Sequence, residues 1–266
     1  MAYINLNEYR IIALQRSGHH AIINWIISNI KGRLYFLNNC CPEVNPYSSF
    51  NPKGSVVDII NIDNEIKSMF SKKDYLLFNY ENKSLKNIFS ETFYNNIDNW
   101  VGKSKNIRNI LILRDPFNNF ASKYKWAISG TQWVPSLDDI KKLPEIWKTY
   151  AREYLDETKF IKNDKFVINY NKWFSDKFYR EYLAKELNLL TIENGIKTIA
   201  KWGPNTWGDS FDNLDFDGRA NEMKVFDRWR YYATDKFFIS LFQDKELIEL
   251  SLRIFGHIQD TEILYQ

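Results

Sequence analysis

The stretch Tyr9-Arg10-Ile11-Ile12-Ala13-Leu14-Gln15-Arg16-Ser17-Gly18-His19-His20 decides how the rest of the chain is read. Its first six residues form a short apolar run suited to a strand buried in a parallel sheet. Residues 15–20 make a tight polar loop. Beyond it Ile22, Ile23, Ile26, Ile27 and Ile30 recur at helical spacing, and Gly32 stands where a C-terminal cap belongs. Strand, polar loop and helix in this order point unpaired backbone N–H groups and a positive helix end at one spot, which is the simplest phosphate site. Arg16 adds a planar fork for two anionic oxygens, and Ser17 adds a hydroxyl donor. Gly18 lets the backbone turn and approach a ligand, and His19 and His20 bring ring donors. Read alone, the loop serves equally as an ordinary turn with a solvated arginine.

Further buried-strand patterns follow at Leu34–Leu37, Val56–Ile60 and Tyr75–Phe78, separated by Asn-rich and Pro-containing loops. Residues 84–100 read as helix and loop. Ile107–Leu113 is the strongest strand signal, ending at Arg114-Asp115-Pro116 and followed by a helix over Phe117–Ile128. A long helix is expected over residues 142–162, a strand at Phe166-Val167-Ile168, and mainly helix beyond residue 175, broken by a Gly/Asp/Asn-rich stretch from Gly203 to Gly218. No repeat, low-complexity tract or linker divides the chain. Alternating strands and helices predict a single α/β domain over residues 1–266, three layers deep, with a central parallel sheet flanked by helices and a helical C-terminal part. Ligands bind such sheets at the carboxyl ends of the strands, which puts Gln15–His20 and Arg114–Ser122 on the functional edge.

Composition narrows the classes. A chain of 266 residues can bury a sizeable core, and 44% hydrophobic with 26% charged residues is ordinary for a globular protein. The aromatic share of 17% is high, enough to fill the core and also line a pocket for a flat or cationic ligand. A net charge of +3 with dispersed lysines gives no basic stripe for nucleic acid. Adjacent Cys40 and Cys41 cannot staple a framework, and with three histidines they argue against a structural zinc site. No basic segment followed by a long apolar run opens the sequence, and the longest apolar stretch falls short of the roughly 20 residues needed to span a bilayer. The expectation is a soluble cytoplasmic protein without membrane insertion, its oligomeric state unreadable.

The second strand–loop–helix reads Leu113-Arg114-Asp115-Pro116-Phe117-Asn118-Asn119-Phe120-Ala121-Ser122, with Ser eight residues after the Arg. It resembles the 3′-phosphate-binding signature of the sulfotransferases that use PAPS (3′-phosphoadenosine 5′-phosphosulfate). Gln15–His20 resembles that family's 5′-phosphosulfate loop, usually Pro-Lys/Arg-Ser-Gly-Thr-Thr. Phe166–Asn171 is similar to the family's late strand, and Gly218-Arg219 through Arg228-Trp229-Arg230 to the C-terminal region that closes over the nucleotide. The resemblance implies a P-loop-NTPase-like domain that binds PAPS, leaves PAP as product, and needs no metal. By position, Arg16, Ser17, Gly18, His19, His20 and Ala21 would line the phosphosulfate, and Arg114, Ser122, Arg219 and Arg228 the 3′-phosphate. Two departures stand out. His19 and His20 replace the paired threonines, and Ala21 replaces the Trp that many members stack on adenine, leaving the stacking residue unassigned.

The implied chemistry is in-line attack on sulfur by the hydroxyl or amine of a small acceptor. Arg16, with His20, would neutralise charge on the departing oxygen. Tyr75–Glu81 ends where the family carries its general base, which makes Glu81 the expected base and His19 or His20 the alternative. The acceptor stays open among saccharides, tyrosine, alkaloids and other metabolites. Asp209, Asp212, Asp215 and Asp217 are either a cation-binding cluster or, more simply, a solvated loop. A nucleotide kinase is a rival on the same architecture. The only Gly-Lys-Ser, Gly102-Lys103-Ser104, has Ile97 where a phosphate loop needs its first glycine, and it precedes a strand. A non-catalytic nucleotide- or glycan-binding module is the second rival.

Overall fold

In the computed structural model the apolar runs assemble into one six-stranded sheet. The structure describes residues 3–57, 61–130, 134–192, 194–198, 216 and 218–266. The strands are β1 (Asn5–Ala13), β2 (Leu34–Asn38), β3 (Asn51–Val56), β4 (Lys73–Glu81), β5 (Ser104–Leu113) and β6 (Lys165–Asn169), in the spatial order β3-β2-β4-β1-β5-β6. All neighbours are parallel except β2 and β3. β1, the strand of the opening quotation, lies in the middle, with Ala13 opposite Glu81 on one side and Ile112 on the other.

Successive strand residues face opposite sides of a sheet, so each unbroken apolar run feeds two cores. Ile12, Phe78 and Leu111 join one core with the helices Glu91–Val101, Pro116–Ala127, Leu143–Tyr154 and Lys245–Phe255. Ile11, Leu77 and Ile110 join the other with the helices His19–Ser28 and Lys177–Glu186. The result is the three-layer α/β architecture that the alternation implied. Because β1, β4, β5 and β6 run the same way, the segments following Ala13, Glu81, Leu113 and Asn169 all emerge on one edge.

Two local expectations are corrected. The strand placed at Val56–Ile60 instead covers Asn51–Val56 and runs antiparallel to β2, while residues 58–60 lie outside the described residues. The β2–β3 connection holds only the short helix Pro46–Ser49, which does not return the chain to the far end of the sheet. At the sheet edge Pro52 has no ladder bond to forfeit. The helix expected over 142–162 stops at Tyr154. Asp156 takes a left-handed φ of 64°. Buried Glu153 accepts from Thr158 Oγ1 at 2.6 Å and from the N–H groups of Phe160 and Ile161 at 3.0 and 3.1 Å, so residues 158–161 wrap around its carboxylate. The C-terminal part is helical as expected, in short pieces: after Lys177–Glu186 come the 3-10 turns Ala220–Glu222 and Arg228–Tyr232, then Lys236–Ser240 and Lys245–Phe255. The acidic cluster Asp209, Asp212, Asp215 and Asp217 lies outside the described residues. Among the described residues no helix is long and apolar enough to cross a membrane.

At the start of β4 the Lys73 ammonium donates to Glu65 at 2.7 Å, both side chains fully buried, and Ser71 Oγ donates to the same carboxylate at 2.5 Å. Removing one member strands the other charge in the interior. Glu65→Ala is therefore expected to cost about 3–5 kcal/mol in urea unfolding, and pairing Glu65→Leu with Lys73→Met to recover most of it. A cost below about 1 kcal/mol for Glu65→Ala would contradict the burial seen here.

Candidate functional site

The loop after β1 is held by neutral amides. Asn82, just past β4, accepts from Gln15 N–H at 2.8 Å through Oδ1 and donates to Gln15 Oε1 at 2.9 Å through Nδ2. Asn119 Nδ2 donates to the Gln15 carbonyl at 3.0 Å. Arg16 and Gly18 both have left-handed φ, 65° and 80°, bracketing Ser17. Gly18 is the N-cap of helix His19–Ser28 and no side chain caps that end. A helix start left without a side-chain cap suits a bound anion. A Cβ on Gly18 would lie 2.1 Å from the Tyr170 ring, so only glycine fits. Ser17 is buried, its Oγ 3.3 Å from His19 Nδ1. Ala21 sits in the first helical turn, its N–H donating to the Gly18 carbonyl at 3.0 Å. One turn on, Trp25 is wholly buried and donates to the Ile192 carbonyl at 3.0 Å.

Glu81 closes β4 beside this loop. Its Oε1 lies 3.2 Å from His19 Nε2 and 3.2 Å from His20 Nε2, and accepts from Asn79 Nδ2 at 3.2 Å. The imidazole rings are 4.2 Å apart. Burial alone would favour the neutral carboxyl, but the two imidazoles outweigh it and hold Glu81 well below the usual carboxylate range. Burial, then His20, pushes His19 below the ordinary histidine value against the pull of Glu81. His19 Nε2 and His20 Nδ1 are buried without an aligned hydrogen-bond partner. One ligand atom from each of His19, His20 and Glu81 falls within 4.8 Å of the others, so these are the residues that could jointly take a metal ion.

The second loop brings the other cations together. Arg114, at 1% exposure, donates through Nη1 to the Arg16 carbonyl at 3.2 Å and through Nη2 to the Val225 carbonyl. Its guanidinium lies 5.0 Å from the Tyr170 ring centroid, and Nε is buried without a partner. Asp115 caps the following helix by accepting from Asn118 N–H at 2.8 Å, with Asn171 Nδ2 on its other oxygen at 3.0 Å. Eight residues past Arg114, Ser122 Oγ donates to the Asn118 carbonyl at 2.8 Å and accepts from Arg228 Nη1 at 2.8 Å. Arg228 N–H donates to Asn118 Oδ1 at 2.9 Å. Ser122 and Arg228 therefore meet directly, while Arg114 reaches the same C-terminal segment three residues earlier, at Val225. Arg219 is placed differently: it is exposed, 3.8 Å from Glu222 and over the Phe216 ring.

One residue escaped the sequence reading. Lys123 is only 4% exposed and donates to Gln15 Oε1. Its Nζ is 5.1 Å from the Trp126 ring centroid, and the Arg16 guanidinium carbon is 5.3 Å from the same centroid. Burial pushes its pKa down to about 8, with Arg16 adding to the fall and Glu81 and Asp139 opposing it. The available signal was a lysine within Phe120–Tyr124, every residue of which is buried.

Neither a protein-family model nor a curated protein matches the sequence. Solved structures do. The mouse sulfotransferase SULT7A1, solved with PAP, superposes with a TM-score of 0.50 at 11% identity over 90% of this chain and 84% of its own. The sulfotransferase domain from the curacin biosynthetic pathway superposes with a TM-score of 0.53 at 11% identity over 95% of this chain and 99% of its own. At such identity the likeness speaks for architecture, and the chain has the fold of the sulfotransferases.

Proposed function

We propose that the protein transfers a sulfuryl group from PAPS to a hydroxyl or amine of a small acceptor. The observation that carries this reading is the Ser122–Arg228 pair and the buried Arg114 guanidinium tied to the first loop, with its uncapped helix start, at one sheet edge. Two anion-binding positions on one edge suit a ligand with phosphate groups at both ends of a nucleoside. The solved relative bound to PAP supports the donor by analogy. Gly102-Lys103-Ser104 leads into β5 at the opposite edge, which disfavours a nucleotide kinase.

In this reading the first-turn N–H groups and Arg16 hold the 5′-phosphosulfate, and Arg114, Ser122 and Arg228 hold the 3′-phosphate. The acceptor oxygen or nitrogen attacks sulfur as the bond to the 5′-phosphate oxygen breaks, and PAP leaves with that electron pair. Arg16 stabilises the charge gathering there. Glu81 takes the acceptor proton, and His20, 3.2 Å away, shares it. An arriving polyanion raises the proton affinity of both groups. Residues 18–20 present only Gly18, His19 and His20 to the donor, so Ala21 contributes its place in the helix rather than a polar contact. The acceptor is a small molecule, a saccharide or secondary metabolite. A cytoplasmic location suits the unpaired Cys40 and Cys41.

Calorimetric titration with PAP and ATP, without magnesium, tests the donor. PAP is expected to bind and ATP to bind far more weakly. Arg228→Ala and Arg114→Lys should each weaken PAP by roughly 10–100-fold, the worth of a charge-assisted hydrogen bond. Equal ATP and PAP binding would sink the donor assignment. For the base, Glu81→Gln is expected to lower kcat roughly 10²–10⁴-fold while PAP affinity stays within about twofold. Near-normal turnover in that variant would remove Glu81 from the mechanism.

A further inference from the structure

His19, His20 and Glu81 bring one donor atom each into a single cluster, between the end of β4 and the first turn of helix His19–Ser28. Glu81 Oε1 lies 3.2 Å from Nε2 of His19 and 3.2 Å from Nε2 of His20, and a donor atom from each of the three falls within 4.8 Å of the others. Imidazole nitrogens and a carboxylate oxygen bound to one zinc ion at about 2.0–2.1 Å stand about 3–4 Å apart. The donors are thus already near coordinating separation. Hydrogen bonding accounts for them less well. The His19 ring is 2% exposed, yet among the described residues its Nε2 has no hydrogen-bond partner, because it stands 3.2 Å from the carboxylate without the alignment. Its in-plane lone pair therefore does not point at the oxygen. The other ring nitrogen, Nδ1, is 3.3 Å from Ser17 Oγ, and a contact there orients the ring and leaves Nε2 as the ligand atom. Asn79 Nδ2 steadies Glu81 in the same way, at 3.2 Å.

We infer that His19, His20 and Glu81 form a binding site for a divalent transition-metal ion of the zinc class, held by two imidazoles and one carboxylate. Nitrogen donors in this ratio select such borderline ions over magnesium and calcium, which take oxygen sets. The site is of the three-ligand kind with a position left for a solvent or substrate atom, not the closed structural kind that cysteines build. The His20 side chain, 17% exposed, marks the side from which an ion enters. Three ligands beside a positive helix end hold an ion less tightly than four would, so the ion exchanges with the medium and acts as a regulator. This consequence, unlike the site itself, rests on the sulfuryl-transfer reading. The carboxylate that binds the ion is the one assigned to the acceptor proton, and its coordinated oxygen is no longer free to take that proton. Occupancy by zinc therefore switches transfer off, and chelation restores it.

The test titrates untagged, metal-free protein with zinc chloride by calorimetry, and with cobalt(II) by its visible absorption, which zinc should displace. Wild type is expected to bind a single ion, without competition from magnesium. His20→Ala, at the partly exposed ring, and the isosteric Glu81→Gln should each weaken zinc by at least about 100-fold, the upper end of what loss of an outer-sphere partner costs a metal site. Zinc should raise the thermal midpoint of wild type by linkage and leave those of both variants unmoved. Cys41→Ser, at the exposed cysteine, and His257→Ala, whose ring lies 2.8 Å from Glu262, should bind zinc as wild type does. Wild type that takes up no zinc, or zinc binding unchanged in His20→Ala and Glu81→Gln, would overturn the site. Loss confined to Cys41→Ser or His257→Ala would overturn it too, by placing the ion elsewhere. Sulfuryl transfer is then followed with and without zinc. Turnover of the metal-free protein that zinc suppresses and EDTA restores is the expected result, and turnover indifferent to saturating zinc would overturn the regulatory role. Metal-free protein that neither binds PAP nor turns over would instead count against the donor reading, and the zinc titration would still decide the site.

Discussion

A single buried guanidinium holds the functional edge together. Arg114 reaches from the end of β5 to the Arg16 carbonyl of the first loop and to the Val225 carbonyl of the C-terminal part, and lies over Tyr170 beyond β6. Its own carbonyl accepts from the Trp147 indole at 2.9 Å. Four separate segments thus meet at one side chain. Carbonyl dipoles take its two terminal nitrogens, leave Nε without a partner, and do not cancel its charge. An interior cation hydrogen-bonded only by neutral groups remains a standing attraction for an anion. The same Tyr170 ring covers Gly18, so the packing that seats the arginine also fixes the residue identity of the first loop.

Around this junction the charges are sorted by partner. Asp115 spends its carboxylate on a helix start and on Asn171, which leaves it little to offer Arg114. Glu81 is turned toward two imidazoles and an amide. Arg16 and Lys123 share an indole face. Cations are therefore placed against rings and carbonyls, and carboxylates against imidazoles and amides.

The sheet was legible because each buried strand announces itself as an apolar run, and β1 and β5 end in loops whose residue types state their chemistry. Arg114, Ser122 and Arg228 could be grouped from resemblance; the fold joins Ser122 to Arg228 and ties Arg114 to the segment that carries Arg228. The direction of β3 was not legible, since Val56–Ile60 has the better pattern and only the short connection dictates reversal. Helical periodicity continued past Tyr154, where the buried Glu153 carboxylate gathers the N–H groups of Phe160 and Ile161, a local contact that apolar spacing does not encode. Lys123 was passed over because lysines normally cover surfaces. Only the burial of the whole Phe120–Tyr124 turn marks it as different. Arg219 shows the converse: a basic residue near a motif that the fold leaves on the surface.

The amides that frame the edge carry a last consequence. Gln15, Asn82, Asn118, Asn119 and Asn171 supply much of the scaffolding between the loops, and none of these side chains ionises. The contacts that join Gln15, Asn82 and Asn119 link only neutral groups and are indifferent to acidity, whereas Asn118 and Asn171 also reach the Asp115 carboxylate. The clasp of Gln15 by Asn82 and Asn119 therefore keeps its own hydrogen bonds across conditions that alter the charged groups around it. On the proposed reading, a profile of rate against acidity or ionic strength would report the charged side chains and their ligand, with the Gln15–Asn82 clasp contributing nothing to it.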